Sequence, residues 1–196
     1  EIDETDVDKL VDIIASLEPT FGGINLEDIK APECFMIENK LRERMKIPVF
    51  HDDQHGTAIV AAAAIYNGLR IVEKEIGDVK LVVSGAGAAS IACVDLLVSM
   101  GLKKQNVRMI DRNGVIYAGR KEGMNPWKED YAIETSDRTI EDAIDGADLF
   151  MGLSGPGVLN GELVKKMGPK PIILAMSNPI PEIMPEEAMA ARPDAI

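Results

Sequence analysis

The run Leu81-Val82-Val83 passes without a break into Ser84-Gly85-Ala86-Gly87-Ala88-Ala89-Ser90, and residues 91–97 then take up helical periodicity. A strand that turns on two closely spaced glycines and restarts as a helix constrains this chain more than any other feature it has. Gly85 permits the tight turn and Gly87 leaves no Cβ above it, while the helix aims its N–H groups and positive dipole end at whatever lies there. Such a turn holds a dinucleotide pyrophosphate, with Ala88 and Ala89 opening the helix and Ser90 where a third glycine usually packs it on the strand. The next strand-like run, 107–110, ends on Asp111, 21 residues beyond Ser90, the distance at which an acid meets a ribose 2′-hydroxyl. Arg112 follows at once, and a guanidinium there suits the 2′-phosphate of NADP, so NAD and NADP both stay open. The competing reading is a plain turn whose glycines serve the backbone alone. The strand before it, the helix after it and the acid beyond weigh against that.

From residue 80 onward strands expected at 80–84, 107–111, 147–152 and 171–176 alternate with helices at 88–100, 139–144, 161–167 and 185–190. Thr139-Ile140-Glu141-Asp142 reads as a capping-box helix start. This rhythm calls for crossover connections, so the fold class is α/β, a doubly wound and mostly parallel Rossmann-type sheet, here preceded by an N-terminal helical segment. In that segment Val7, Leu10, Val11, Ile14 and Leu17 keep helical spacing, with Thr5 as the expected N-cap and Pro19 as the stop. Pro32 is expected at the first position of a helix reaching Met45, 47–50 as a short strand, and 55–75 as a helix. Residues 75–78 are the one plausible hinge, giving an N-terminal segment at 1–76, its helices packed on the sheet, and a nucleotide-binding domain at 77–196.

Charge removes some partners. With 33 acidic against 21 basic residues the chain carries a net charge of −12, which offers no footprint for nucleic acid or an anionic membrane. Its longest apolar run, 58–66, is less than half of the ~20 residues needed to span a bilayer, so no membrane is expected as a partner. Cys34 and Cys93 form no CxxC pair and read as small buried apolar residues, which makes the reducing cytoplasm the expected compartment. A start at Glu1 and a stop at Ile196, inside an apolar-looking stretch, suggest a piece of a longer protein.

Two acidic doublets, Glu27-Asp28 and Asp52-Asp53, lie 25 residues apart, each after an extended stretch and just before a helix. Four carboxylates gathered at strand ends would repel one another unless a hard cation such as Mg²⁺ or Mn²⁺ sat between them. On spacing alone, solvated acids at helix starts are the plainer account. His51, Asp53 and His55 give a rival zinc set, without the usual helical histidine spacing or a cysteine partner.

The string from Phe21-Gly22-Gly23-Ile24-Asn25-Leu26-Glu27-Asp28-Ile29 through Ala31-Pro32-Glu33-Cys34-Phe35 to Ile47-Pro48-Val49-Phe50-His51-Asp52-Asp53-Gln54-His55-Gly56-Thr57-Ala58 resembles the bacterial malic enzymes. The likeness continues through the Gly85–Ser90 turn, Asp111-Arg112-Asn113-Gly114 and Ser177-Asn178-Pro179, covering essentially the whole chain. It implies an enzyme that oxidises malate with NAD or NADP and decarboxylates the bound keto acid to pyruvate and CO₂. By the same resemblance Glu27, Asp28 and Asp53 match the ligands of Mn²⁺ or Mg²⁺, and Asp52 matches the acid supporting a catalytic lysine. Thr57, Gly85, Gly87, Ala88, Ala89, Ser90, Asp111, Arg112, Leu153 and Ser154 match cofactor-contacting positions, and Asn178 the asparagine between nicotinamide and substrate. The family's general-base lysine and general-acid tyrosine would lie on a segment before Glu1, so the chain alone is expected to bind metal and cofactor without turning over. A homo-oligomer is expected. The alternatives are a malolactic enzyme, which keeps its NAD and releases lactate, an amino-acid dehydrogenase, which needs no metal, and a non-catalytic dinucleotide sensor.

Overall fold

The computed structural model describes residues 2–196. Its first helix, α1 (Val7–Ala15), buries Leu10, Val11 and Ile14. The cap is Asp6 and not the expected Thr5, because the Asp6 carboxylate reaches the Lys9 N–H at 2.9 Å, three residues on, where a capping acceptor is needed. Two short strands, β1 (Ile24–Leu26) and β2 (Val49–His51), pair in parallel with Leu26 beside His51, and α2 (Glu33–Arg44) connects them. Pro32 occupies the capping position, one residue earlier than expected, and β2 runs on to His51 where the expected strand stopped at 50. Leu26, Ile37, Leu41 and Val49 join the α1 residues in a small core of their own.

The expected helix at 55–75 is α3 (Thr57–Val72), and a wide π-helical turn over Asp52–Gly56 leads into it. Gly56 lies in that turn with ordinary helical angles, beneath the Asp52 side chain. A Cβ there would lie 2.2 Å from Asp52 Oδ1, so the Asp52 side chain folds over a position only glycine leaves open.

The large sheet begins with β3 (Leu81–Ser84), followed by α4 (Ala88–Ser99), β4 (Val107–Asp111) and β5 (Gly114–Val115). After α5 (Pro126–Glu129) and α6 (Ile140–Ala143) come β6 (Leu149–Gly152), α7 (Gly161–Lys165), β7 (Ile172–Ala175) and α8 (Pro185–Ala191). Thr139 and Asp142 form the capping box of α6. The sheet order is β5-β4-β3-β6-β7, parallel except for β5, which folds back on β4 through the tight turn at Asp111–Gly114. Both faces are covered. Leu81, Val83, Met109, Leu149 and Met151 pack beneath α3 and α4, while Val82, Ile110 and Phe150 face Ala143, Ile144, Leu163 and Val164. Strands buried on both sides are mostly apolar, which is why Leu81–Val83 and Leu149–Met151 lack alternation.

One core therefore spans the expected hinge, since Ala61, Ile65 and Leu69 of α3 share a cluster with Leu81 and Val83. The two cysteines sit in that cluster too. Burial pushes the Cys34 thiol up to about 11 and the Cys93 thiol up to about 12, so both stay protonated and serve packing.

Helix α3 comes close to β7 at Gly68, where an added Cβ would meet Ile172 Cδ1 at 3.0 Å. Gly68→Ala is expected to be near neutral, because a helix-propensity gain of about 1 kcal/mol offsets a contact that a flexible isoleucine tip can relieve. Gly68→Val adds branching the seam cannot take and should cost about 1–3 kcal/mol in denaturant unfolding. Equal midpoints for the two variants would refute the close approach.

Candidate functional site

Strand order reverses between β3 and β6, and at such a switch point the carboxyl ends of the strands open a crevice for ligands. The Gly85–Ser90 turn lies on its floor. Gly85 has φ of 117°, its N–H donates to the Ile110 carbonyl at 2.8 Å, and a Cβ there would lie 2.5 Å from the Leu153 carbonyl oxygen. The fold itself requires that glycine. Gly87 differs, because its φ of −91° suits any residue and an added Cβ meets nothing within 4 Å. The space above Gly87 is open, and the helix behind it begins without a side-chain cap. Among the described residues the amides of Ala88, Ala89 and Ser90 find no protein acceptor, so the first turn of α4 presents free N–H groups to that space. Ser90 is buried, its hydroxyl unpartnered and packed close beneath Gly85.

The walls come from neighbouring strand ends. After β6, the Leu153 N–H donates to the Ser84 carbonyl at 2.8 Å, and the Ser154 hydroxyl lies 2.7 Å from that of Ser84. The loop after β7 carries Ser177 and an exposed Asn178. Between these loops sits Glu182, fully buried, accepting the Ser154 N–H on Oε1 at 3.0 Å and the Ser177 N–H on Oε2 at 3.1 Å. Thr57 opens α3, half-buried, where the preceding turn packs on α4.

At the end of β4 the Asp111 carboxylate is engaged on both oxygens. Arg120 Nη2 donates to them at 2.6 and 2.8 Å, Lys128 Nζ donates to Oδ2 at 2.7 Å, and the Asn113 N–H donates to Oδ1 at 2.9 Å. Burial alone would raise the Asp111 carboxyl, but the bonds from Lys128, Arg120 and the Asn113 N–H outweigh it and hold it below the ordinary carboxylate value. Two cations thus meet on one carboxylate, and Arg112, next in sequence, is exposed. Sequence reading found Asp111 and Arg112 but missed Arg120 and Lys128, which reach back from an irregular loop with no spacing rule to mark them.

The acidic doublets follow β1 and β2, so strand pairing sets their backbones side by side. The Asp28 N–H donates to Asp53 Oδ2 at 2.8 Å, with Asp28 itself held at φ of 57°. Asn25 Nδ2 donates to Glu27 Oε1 at 2.8 Å. Among the described residues no three His, Cys, Asp or Glu side chains converge as a metal-holding group. The donor chemistry of Glu27, Asp28 and Asp53 nonetheless fits a hard cation, being carboxylate oxygen at the mouth of adjacent strands. Of the rival zinc set, His55 is drawn off to Glu38, its Nε2 2.6 Å from Oε1, while the fully buried His51 ring, with neither nitrogen hydrogen-bonded, keeps Nδ1 4.0 Å from Asp53 Oδ2.

Residues 54–194 match the profile of the malic enzyme NAD-binding domain, and residues 2–42 that of the malic enzyme N-terminal domain. An NADP-dependent malic enzyme of Salmonella typhimurium is 63% identical over 100% of this chain, which spans 26% of that protein. An NAD-dependent malic enzyme of Rhizobium meliloti is 58% identical over 100% of the chain, again spanning 26% of the relative. The solved NAD-dependent malic enzyme from Thermotoga maritima superposes with a TM-score of 0.91 at 46% identity, covering 97% of this chain and 51% of its own.

Asp111→Asn would leave Arg120 and Lys128, only 4% and 16% exposed at their side chains, without a counter-charge. A loss of about 3 kcal/mol in unfolding free energy is expected. Because the folded carboxyl is depressed, its contribution is fully present above the unfolded value near ~3.9 and is lost as pH falls through the folded one. Wild type and Asp111→Asn should therefore converge in stability as pH drops below about 4, and a difference independent of pH would refute the ion-pair role.

Proposed function

The chain belongs to the malic enzyme family, and we propose that it forms the dinucleotide- and metal-binding part of an enzyme that oxidises malate with NADP and a divalent cation, releasing pyruvate and CO₂. The observation that carries this reading is the open space over Gly87, faced by the free amides of α4 at the switch point of the sheet. An anionic pyrophosphate fits there, and a Cβ on residue 87 would intrude on it. When bound, the nicotinamide takes the hydride and the divalent ion polarises the substrate oxygens.

The residues of this chain then bind and orient. Gly87, Ala88, Ala89 and Ser90 cradle the pyrophosphate, and the Asp111 group takes the adenosine ribose. Its carboxylate is already occupied by Arg120, Lys128 and the Asn113 N–H, leaving no free acceptor for a 2′-hydroxyl, while the exposed Arg112 that follows is engaged by no protein acceptor among the described residues. That balance supports a 2′-phosphate, and so NADP over NAD. Leu153, Ser154 and Asn178 line the side of the crevice away from the adenosine, where the nicotinamide would lie, and Thr57 closes it from α3. Glu27, Asp28 and Asp53 would hold Mn²⁺ or Mg²⁺, with Asp52 beside them as the acid supporting a lysine from outside residues 1–196. Two free buried cysteines support the reducing cytoplasm as its compartment.

In the full-length protein, Gly87→Val should fold as wild type, because the backbone there accepts a side chain, yet lose the NADPH fluorescence enhancement. Retained enhancement would remove the cradle from the account. Asp53→Asn should weaken Mn²⁺ binding about tenfold or more by removing an anionic ligand, with NADPH affinity unchanged. Unaltered Mn²⁺ titration would detach the doublets from the metal, and lactate in place of pyruvate as product would redirect the assignment to malolactic chemistry.

A further inference from the structure

We propose that Glu182 is a positioning residue that clamps the loops after β6 and β7 together and so fixes the nicotinamide half of the dinucleotide; this rests on the dinucleotide reading above. The parallel ladder between these strands ends where the Met176 N–H donates to the Gly152 carbonyl at 3.1 Å. Beyond that bond the two chains part, and the amides of Ser154 and Ser177 turn to the two oxygens of one carboxylate instead. Glu182 has 0% exposure, and among the described residues no cation pairs with it. A buried carboxyl group whose two oxygens accept only backbone N–H donors is a costly way to join two loops, and an amide, with a single acceptor oxygen, could not accept on both positions. The strand end is shaped around it, since a Cβ on Gly152 would lie 2.3 Å from its carboxyl carbon and 2.4 Å from Oε2. The Glu182 carbonyl also accepts the Leu159 N–H at 3.1 Å, which anchors the residue from the far side of the β6 loop.

The connection reaches further than the two loops. Ser154, held through its amide by Glu182, meets the Ser84 hydroxyl at 2.7 Å, so Ser84, Ser154, Glu182 and Ser177 link the ends of β3, β6 and β7 across the switch point. The Asp111 group takes the adenosine side over β4, which leaves the other half of a dinucleotide to cross these linked ends. The sheet below is already complete in its ladders and its apolar packing. What the clamp adds is a fixed spacing between Ser154 and the Asn178 loop.

The test uses full-length protein with Glu182→Gln, which keeps the shape but turns an amide NH₂ toward one N–H donor, and with Glu182→Asp, which keeps the charge but shortens the reach. Binding of NADPH is compared with that of 2′-phospho-ADP-ribose, which has the adenosine and pyrophosphate but no nicotinamide, alongside thermal melting and NADP KM and kcat. Both variants should bind NADPH about tenfold more weakly and hold 2′-phospho-ADP-ribose as wild type does, with kcat falling as the ring loses its orientation. Equal affinity of variants and wild type for both ligands overturns the clamp, and so does an equal loss for both, which marks a general structural defect. Wild-type protein that takes neither ligand overturns the dinucleotide reading and the clamp with it.

Discussion

Backbone amides that run out of partners at the carboxyl ends of parallel strands are the constraint on which this structure turns. Each strand delivers donors into the crevice, and each must be satisfied there. Gly85 gives its N–H to the Ile110 carbonyl, Leu153 to that of Ser84 and Met176 to that of Gly152, which extends the ladders by one step. Past that step the solutions differ. Glu182 takes the amides of Ser154 and Ser177, whereas those of Ala88, Ala89 and Ser90 are left with no protein acceptor. The first arrangement joins two loops and the second leaves free N–H groups facing open space, so the same shortage of acceptors yields both the frame and the opening.

Charge is sorted along the crevice in a way that the total conceals. A net −12 argues against a polyanionic partner, yet Arg120 and Lys128 both meet Asp111 at the end of β4, while the two acidic doublets follow the paired strands β1 and β2. Local fields in a partly dry cleft outweigh the screened sum over the surface. An acidic protein can therefore still present a cationic group at one place and an acidic stretch at another.

The parts legible in the sequence were those set by local rules. Val107–Asp111 was bounded to the residue, and the glycine turn was located, because alternation of apolar runs and the conformational freedom of Gly85 are properties of a few neighbouring residues. The α1 cap moved by one position because Thr5 and Asp6 are both capping types and only reach decides between them. The two-residue β5 and the turn at Asp52–Gly56 are too short to leave a periodic trace. Arg120, Lys128 and Glu182 escaped because their partners lie across loops, nine, 17 and at least five residues away, and two of Glu182's are bare amides. Resemblance located Glu27, Asp28 and Asp53, but spacing could not say that the Asp28 amide, not its carboxylate, meets Asp53.

Helix α3 binds these ends into one object. It begins at the turn carrying Asp52 and Asp53, packs along α4 and reaches β7 through Gly68, so the acidic doublet and the end of the large sheet share one helix as their spacer. Its buried alanines keep that spacer thin, since Ala58, Ala61 and Ala62 let α3 and α4 approach where larger side chains would hold them apart. A metal ligand and a hydride acceptor must be registered within fractions of an ångström to act on one substrate. The boundary expected at 76/77 leaves no mark in the packing, because the core treats both sides as one.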